Sequence, residues 1–434
     1  MLQTVQLILS LSILVLIHEL GHFTFAKLFK ARVEKFYLFF NPWFSLFKYK
    51  KGDTTYGIGW LPFGGYCKIS GMIDESLDKA QKSEAPKEWE YRSKTLGQRF
   101  LIISGGVIFN FILAFIIYSG VLYVWGEKYL PIENVEYGIY CDSLALEAGF
   151  HHGDKILRVD GEKPERLGEV MSKIVIDKAQ EITVLRNGSE VLVKMPDDIQ
   201  AQLLRQKQPF FISEFIPFYV DSVISDSPAK KAGLRRNDRI IGIDTLETPS
   251  FMDFVMNSSK FAEIPTHIVV IRNGYTDTIP ITLSQDGTLG VYRKSLEQLY
   301  TFEQRDYSLL EAIPAGISMG FSNLWFYVKQ LKLIFTKEGS QQLGSFVSMG
   351  KLYDPTWNWQ WFWTLTALFS LIIGFMNLLP IPGLDGGHLM FLFYELFVGK
   401  KPSDDFLERA QKIGMIIILA LFMYAIVLDF GRLF

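Results

Sequence analysis

Apolar residues gather toward the two ends of this chain and leave a middle of ordinary polarity. Four runs are long enough to cross a bilayer, about Leu2–Ala26, Phe100–Trp125, Trp357–Leu379 and Ile413–Phe430, since roughly 20 apolar helical residues span the hydrocarbon core. The first run has no Lys or Arg before Lys27 and contains His18, Glu19 and His22, so it predicts a retained span and not a signal peptide. A fifth run, Ile317–Phe335, carries Lys329, Gln330 and Lys332 within two turns and predicts an amphipathic helix, about 315–336, on the outer surface. Leu389–Val398 is too short to cross and predicts a buried or interfacial helix on the inner side.

Positive charge orients the spans. Residues 27–99 carry 14 Lys and Arg, and Lys400, Lys401, Arg409 and Lys412 lie between the third and fourth spans, so both connections are expected in the cytoplasm. Both termini and the long middle region are then expected outside.

The middle contains a repeat. Glu147-Ala-Gly-Phe-His-His-Gly-Asp154-Lys-Ile-Leu-Arg-Val-Asp160 aligns without gaps on Lys231-Ala-Gly-Leu-Arg-Arg-Asn-Asp238-Arg-Ile-Ile-Gly-Ile-Asp244. Arg186-Asn187-Gly188 and Arg272-Asn273-Gly274 then recur between β-rich runs, as hairpin turns would. This pattern resembles the PDZ domain in its bacterial, permuted form, with domains at about 130–198 and 215–292. The resemblance implies binding of an extended peptide or C-terminus at a sheet edge; a pair of β domains that only space the membrane segments is the alternative.

Composition narrows the function. The 434 residues are 49% hydrophobic, and 44 Lys+Arg against 46 Asp+Glu give a net charge of −2, which excludes nucleic-acid binding by bulk charge. The two cysteines, Cys67 and Cys141, form no CxxC and no zinc-ribbon spacing with His, so no disulfide framework is expected.

The chemistry concentrates in His18-Glu19-Leu20-Gly21-His22, an H-E-x-x-H pattern that sets two imidazoles on one helical face with a carboxylate beside them. Such a pair can share one Zn²⁺, and ionisable groups inside a span are costly unless functional. A catalytic zinc needs a third protein ligand and an open position. At the inner end of the third span, Asn377-Leu-Leu-Pro380-Ile-Pro382-Gly-Leu-Asp385-Gly-Gly-His388 offers Asp385, the only acid between Asp354 and Glu395, with His388 as competitor.

HELGH on the first span, N-x-x-P-x-P-x-L-D-G on the third, and Gly105-Gly106-Val-Ile-Phe-Asn110-Phe on the second together resemble the site-2 proteases over nearly the whole chain. The resemblance implies His18, His22 and Asp385 as ligands of one zinc ion, Glu19 as general base, and Asn377, Pro380 and Pro382 as binders of unwound substrate. It implies that Tyr56-Gly57-Ile58-Gly59-Trp60 to Gly71 belongs to a cytoplasmic re-entrant β-hairpin, about 52–72, whose Gly57, Ile58 and Gly59 pair with a substrate strand; a plain cytoplasmic hairpin is the alternative. The expected fold is an α-helical polytopic membrane protein with four transmembrane helices, that hairpin and two inserted α+β PDZ domains. The membrane parts fall at 1–126 and 300–434. Expected substrates are single-span membrane proteins already trimmed outside, such as anti-sigma factors or signal-peptide remnants, in a bacterial inner membrane. A membrane-anchored PDZ adaptor with a structural metal site, or a zinc transporter, are the competing classes.

Overall fold

The computed structural model describes residues 2–72, 86–205, 211–334 and 346–431. It divides into two compact units, Met1–Gly126 with Asp306–Phe434, and Glu127–Arg305. In the first, the helices are α1 (Leu2–Leu28), α2 (Leu96–Trp125), α3 (Leu309–Ile334), α4 (Phe346–Lys351), α5 (Trp359–Leu378), α6 (Asp385–Val398) and α7 (Asp404–Gly431). Among the described residues α1, α2, α5 and α7 are long and apolar enough to cross a membrane, and they cover the four expected runs.

Local chemistry sets the ends. Thr95 and Gln98 form a capping box at the start of α2, and Asn358 Oδ1 accepts the Trp361 N–H at the start of α5 (3.0 Å). Polar groups inside α1 find partners on neighbouring segments: Gln6 Nε2 donates to Asp354 O (2.9 Å) and Ser10 Oγ to Thr366 Oγ1 (3.0 Å). In hydrocarbon such groups have no water to turn to, so pairing is what permits them there.

Helix α1 crosses α2 at Gly21 and Gly105, each of which faces the other's backbone so closely that a methyl group on either would overlap it. Small residues at such a crossing let two apolar helices reach van der Waals contact of their backbones. Helix α3 lies where an amphipathic helix is expected, at about 315–336. It begins six residues earlier, at Leu309, and it packs lengthwise on α2 and α5, with Gly316 against Ser119, Gly320 against Phe115, and Tyr327 edge-on to Phe375 at 6.3 Å. Gly316 and Gly320 form a small-x-x-x-small stripe that lets it approach. Residues 335 and 336 of that expectation lie outside the described residues.

Between α1 and α2 lies a four-stranded sheet of β1 (Val33–Phe40), β2 (Phe47–Lys51), β3 (Thr54–Ile58) and β4 (Leu61–Ile69), in the order β2-β3-β1-β4. The hairpin expected at 52–72 is therefore not formed. Strands β3 and β4 follow each other in sequence but flank β1, parallel to β3 and antiparallel to β4. The two-residue link Gly59-Trp60 passes over the end of β1, with Gly59 N–H on Leu38 O (2.8 Å) and too little room beside Phe40 O for a side chain. The tight turn that does form a hairpin joins β2 to β3, through Gly52 at φ +60°.

In the second unit the sequence repeat is a structural one. Strands Lys155–Val159 and Arg239–Ile243 each pair with a hairpin arm, and the hairpins Glu181–Lys194 and Pro265–Thr282 turn at Asn187-Gly188 and Asn273-Gly274. Each copy holds the same lock: Arg186 meets buried Asp154 and Arg272 meets buried Asp238, both at 2.7 Å, and each Arg also donates to a glycine carbonyl, Gly149 or Gly233.

Arg99 of α2 grips Glu395 of α6 through two hydrogen bonds of 2.9 and 2.6 Å, with both side chains largely buried. Removing one partner strands the other's charge, which costs about 3–5 kcal/mol. Arg99→Met or Glu395→Gln alone should lower the melting temperature of the detergent-solubilised protein, and the charge swap Arg99→Glu with Glu395→Arg should recover part of the loss.

Candidate metal centre

His18 and His22 lie one turn apart on the face of α1 that meets α2, as the i, i+4 spacing requires. Asp385 comes to them as the first residue of α6, delivered by the turn that follows α5. His18 Nε2 lies 3.2 Å from His22 Nε2, and Asp385 Oδ2 lies 3.2 Å from the first and 3.4 Å from the second. The three side chains are 12%, 10% and 14% exposed, shielded but reachable by water. They form a group of candidate metal ligands within 4.8 Å of one another.

The donor set fits a zinc ion. His22 Nδ1 lies 2.9 Å from Ile102 O, which only accepts, so the proton resides on Nδ1 and the Nε2 lone pair points into the centre. Asp385 Oδ2 is buried beside both imidazoles and yet accepts no hydrogen bond, the condition of an oxygen whose natural partner is a cation. Gly106 of α2 clears the space. A methyl group there would stand 2.5 Å from His18 Cε1 and 2.6 Å from His22 Nε2.

Glu19 projects beside the pair, with the backbone of Cys67 in β4 close to its carboxylate. Gly65, two residues earlier, packs against Val15 and the Glu19 side chain, so β4 rests on α1 at this point. Asn377 Nδ2 reaches to 3.4 Å from His18 Nε2, and the Asn110 side-chain amide lies 3.3 Å from His18 Nδ1. Pro380 is exposed on the turn, whereas Pro382 packs against Gly387 of α6 and Gly414 of α7. His388 lies outside the group formed by His18, His22 and Asp385.

Gly57, Ile58 and Gly59 do not offer a free edge. Their strand is interior: Gly57 pairs with Tyr37 on one side and Lys48 on the other, and Ile58 with Leu38 and Phe47. The outer side of β4 is the edge turned toward the centre. Leu38, opposite Gly65, directs its carbonyl toward Gly59, and the Cys67 backbone lies beside Glu19, so Gly65 and Cys67 both point their backbone groups away from β1. Among the described residues no strand pairs with that side.

Sequence reading passed over Gly106 as a ligand neighbour, Ile102 O and the Cys67 backbone. The Gly105-Gly106 pair was visible only as a packing motif, because its register on the histidines depends on how α1 meets α2.

The sequence profile of peptidase family M50 matches residues 6–421. The chain is 29% identical over 451 residues to the regulator of sigma E protease of Haemophilus influenzae, covering 98% of each chain. It is 28% identical over 458 residues to the regulator of sigma-E protease RseP of Salmonella typhimurium, again with 98% of each covered. The chain belongs to peptidase family M50 and is a metalloprotease with membrane helices.

Gly106→Ala should press on both imidazoles. It should lower zinc content after equilibration with limiting metal, measured by atomic absorption, while Gly97→Ala, with nothing within 4 Å of the added methyl, leaves it unchanged.

Proposed function

We propose that this protein is an intramembrane zinc protease that hydrolyses peptide bonds in or near the transmembrane helices of single-span membrane proteins already trimmed on the outer side. Anti-sigma-factor-like proteins and signal-peptide remnants are the substrate classes in view. The carrying observation is the convergence of His18 and His22, on the membrane-length helix α1, with Asp385 at the start of α6.

In this reading His18, His22 and Asp385 hold one zinc ion per chain. Bound there, zinc would supply Lewis-acid chemistry for polarising a scissile carbonyl and acidifying a water. Glu19 takes the proton of the attacking water and passes it to the leaving amine, and the Cys67 backbone close by keeps its carboxylate aimed. Asn377 directs its amide toward the same space. A helical substrate hides its carbonyls in its own hydrogen bonds, so it has to be drawn out; an extended segment laid along the outer edge of β4 would exchange those bonds for the backbone groups of Gly65 and Cys67. The repeats of the second unit act as PDZ domains on the outer side, governing which trimmed proteins are admitted. That side follows from the 14 Lys and Arg of residues 27–99, which keep the opposite connection in the cytoplasm.

Glu19→Gln should retain zinc and lose cleavage of a single-span reporter by at least about 10²-fold. Near-normal turnover would exclude Glu19 as the general base and the mechanism with it. Asp385→Ala should lose most of its zinc; full occupancy would assign the third ligand elsewhere.

A further inference from the structure

We propose that Asn110 of α2 is the positioning residue for His18: its side-chain oxygen accepts the Nδ1 proton and so fixes the tautomer whose Nε2 is free for metal. The inference rests on the metal-centre reading above.

The two ligand histidines are treated differently by their surroundings. His22 has its Nδ1 proton held by a backbone carbonyl, Ile102 O, at 2.9 Å. Among the described residues no carbonyl is hydrogen-bonded to His18. Its Nε2 points at His22 Nε2 and Asp385 Oδ2, so that nitrogen has to be unprotonated to serve as a ligand. The single ring proton of a neutral imidazole then sits on Nδ1 and needs an acceptor. The neighbour at that nitrogen is the Asn110 amide, at 3.3 Å. Asn110 is fully buried, and its Oδ1 has no hydrogen-bond partner.

With Nδ2 turned toward His18, a donor faces the nitrogen that must itself donate. The amide oxygen and nitrogen are nearly equal in size, so rotating the group by 180° about its last bond exchanges them in the same space. The uncommitted oxygen then meets the Nδ1 proton. The rest of the residue is well placed to hold that orientation: its backbone carbonyl accepts from Ser370 Oγ at 2.7 Å, and its Cβ lies 3.4 Å from the Cβ position at Gly374. Asn110 is thus clamped between α1 and α5. Groups that hold a ligand imidazole by its far nitrogen set its orientation and basicity, and their loss lowers metal affinity by about 10- to 100-fold.

The test compares Asn110→Leu, which removes the acceptor, with Asn110→Asp, which restores one in either orientation of the group. Zinc affinity of the full-length protein in detergent is measured by competition with a chromogenic chelator. Asn110→Leu should bind zinc about 10- to 100-fold more weakly, and Asn110→Asp should stay within a few-fold of wild type or bind more tightly. Wild-type affinity in Asn110→Leu, or an equal loss in both variants, overturns the proposal. A second measurement needs no variant at position 110: ¹⁵N spectra of the metal-free protein labelled at histidine, with His18 assigned from a His18→Asn sample. His18 protonated at Nδ1 supports the proposal, and protonation at Nε2 overturns it. A wild type that holds no zinc would overturn the metal-centre reading and this inference with it, whereas a zinc-binding wild type matched by Asn110→Leu overturns the inference alone.

Discussion

Everything near the metal centre depends on how closely α1 and α2 approach at Gly21 and Gly105. With no side chain on either residue the two backbones touch, and this contact puts Gly106 directly under the imidazoles and Ile102 O within reach of His22 Nδ1. A single methyl group at the crossing would push α2 outward. It would withdraw the carbonyl that sets one tautomer and, two turns further along, the Asn110 amide that neighbours the other histidine. The apolar surfaces of two spans gain little from each other in lipid, so close packing of this kind carries the association that water would otherwise drive.

The proposed third ligand is governed by a different set of contacts. Asp385 opens α6, whose Leu389 and Leu392 bury against Ile103 while Arg99 holds Glu395 farther along. The turn before it is compressed as well, with Gly386 against Leu379 O, Gly387 against Pro382, and Gly414 of α7 against Pro382 O. Pro382 therefore has a demonstrable packing task in addition to the substrate role proposed for it. The carboxylate is fixed from both sides, by the turn behind it and by the ion pair ahead.

Much of this was legible in the sequence, where the physics is local. Spans declare themselves by length and apolarity, and HELGH places its histidines by helical period alone. Asp385 stood out because so few acids occur near it. What escaped was long-range. The hairpin reading of 52–72 took neighbouring strands in sequence for neighbours in space, and the intervening position of Val33–Phe40 follows only from its register with Thr55–Ile58 and Leu61–Ile69. Gly57-Ile58-Gly59 looked like an edge for the same reason. Lys329 and Lys332 marked α3 as amphipathic, while the Gly316-x-x-x-Gly320 spacing that beds it on α2 was the quieter signal. The twin Arg–Asp locks of the second unit were foreshadowed by the repeated Asp and Arg-Asn-Gly landmarks, though nothing in the spacing said that they touch.

Because the ligands come from opposite ends of the chain, the order of synthesis has its own effect. A ribosome that has delivered α1 and α2 to the membrane has made both histidines and Glu19, but it has almost the whole remaining chain to translate before Asp385 emerges. At about 5–20 residues per second the 260 residues from Trp125 to Asp385 take roughly 13 to 52 s. During it the nascent chain exposes the proposed general base beside an incomplete set of the proposed metal ligands, and on that reading it passes the crowded insertion machinery, where other unfolded spans lie close by, without the means to cut them.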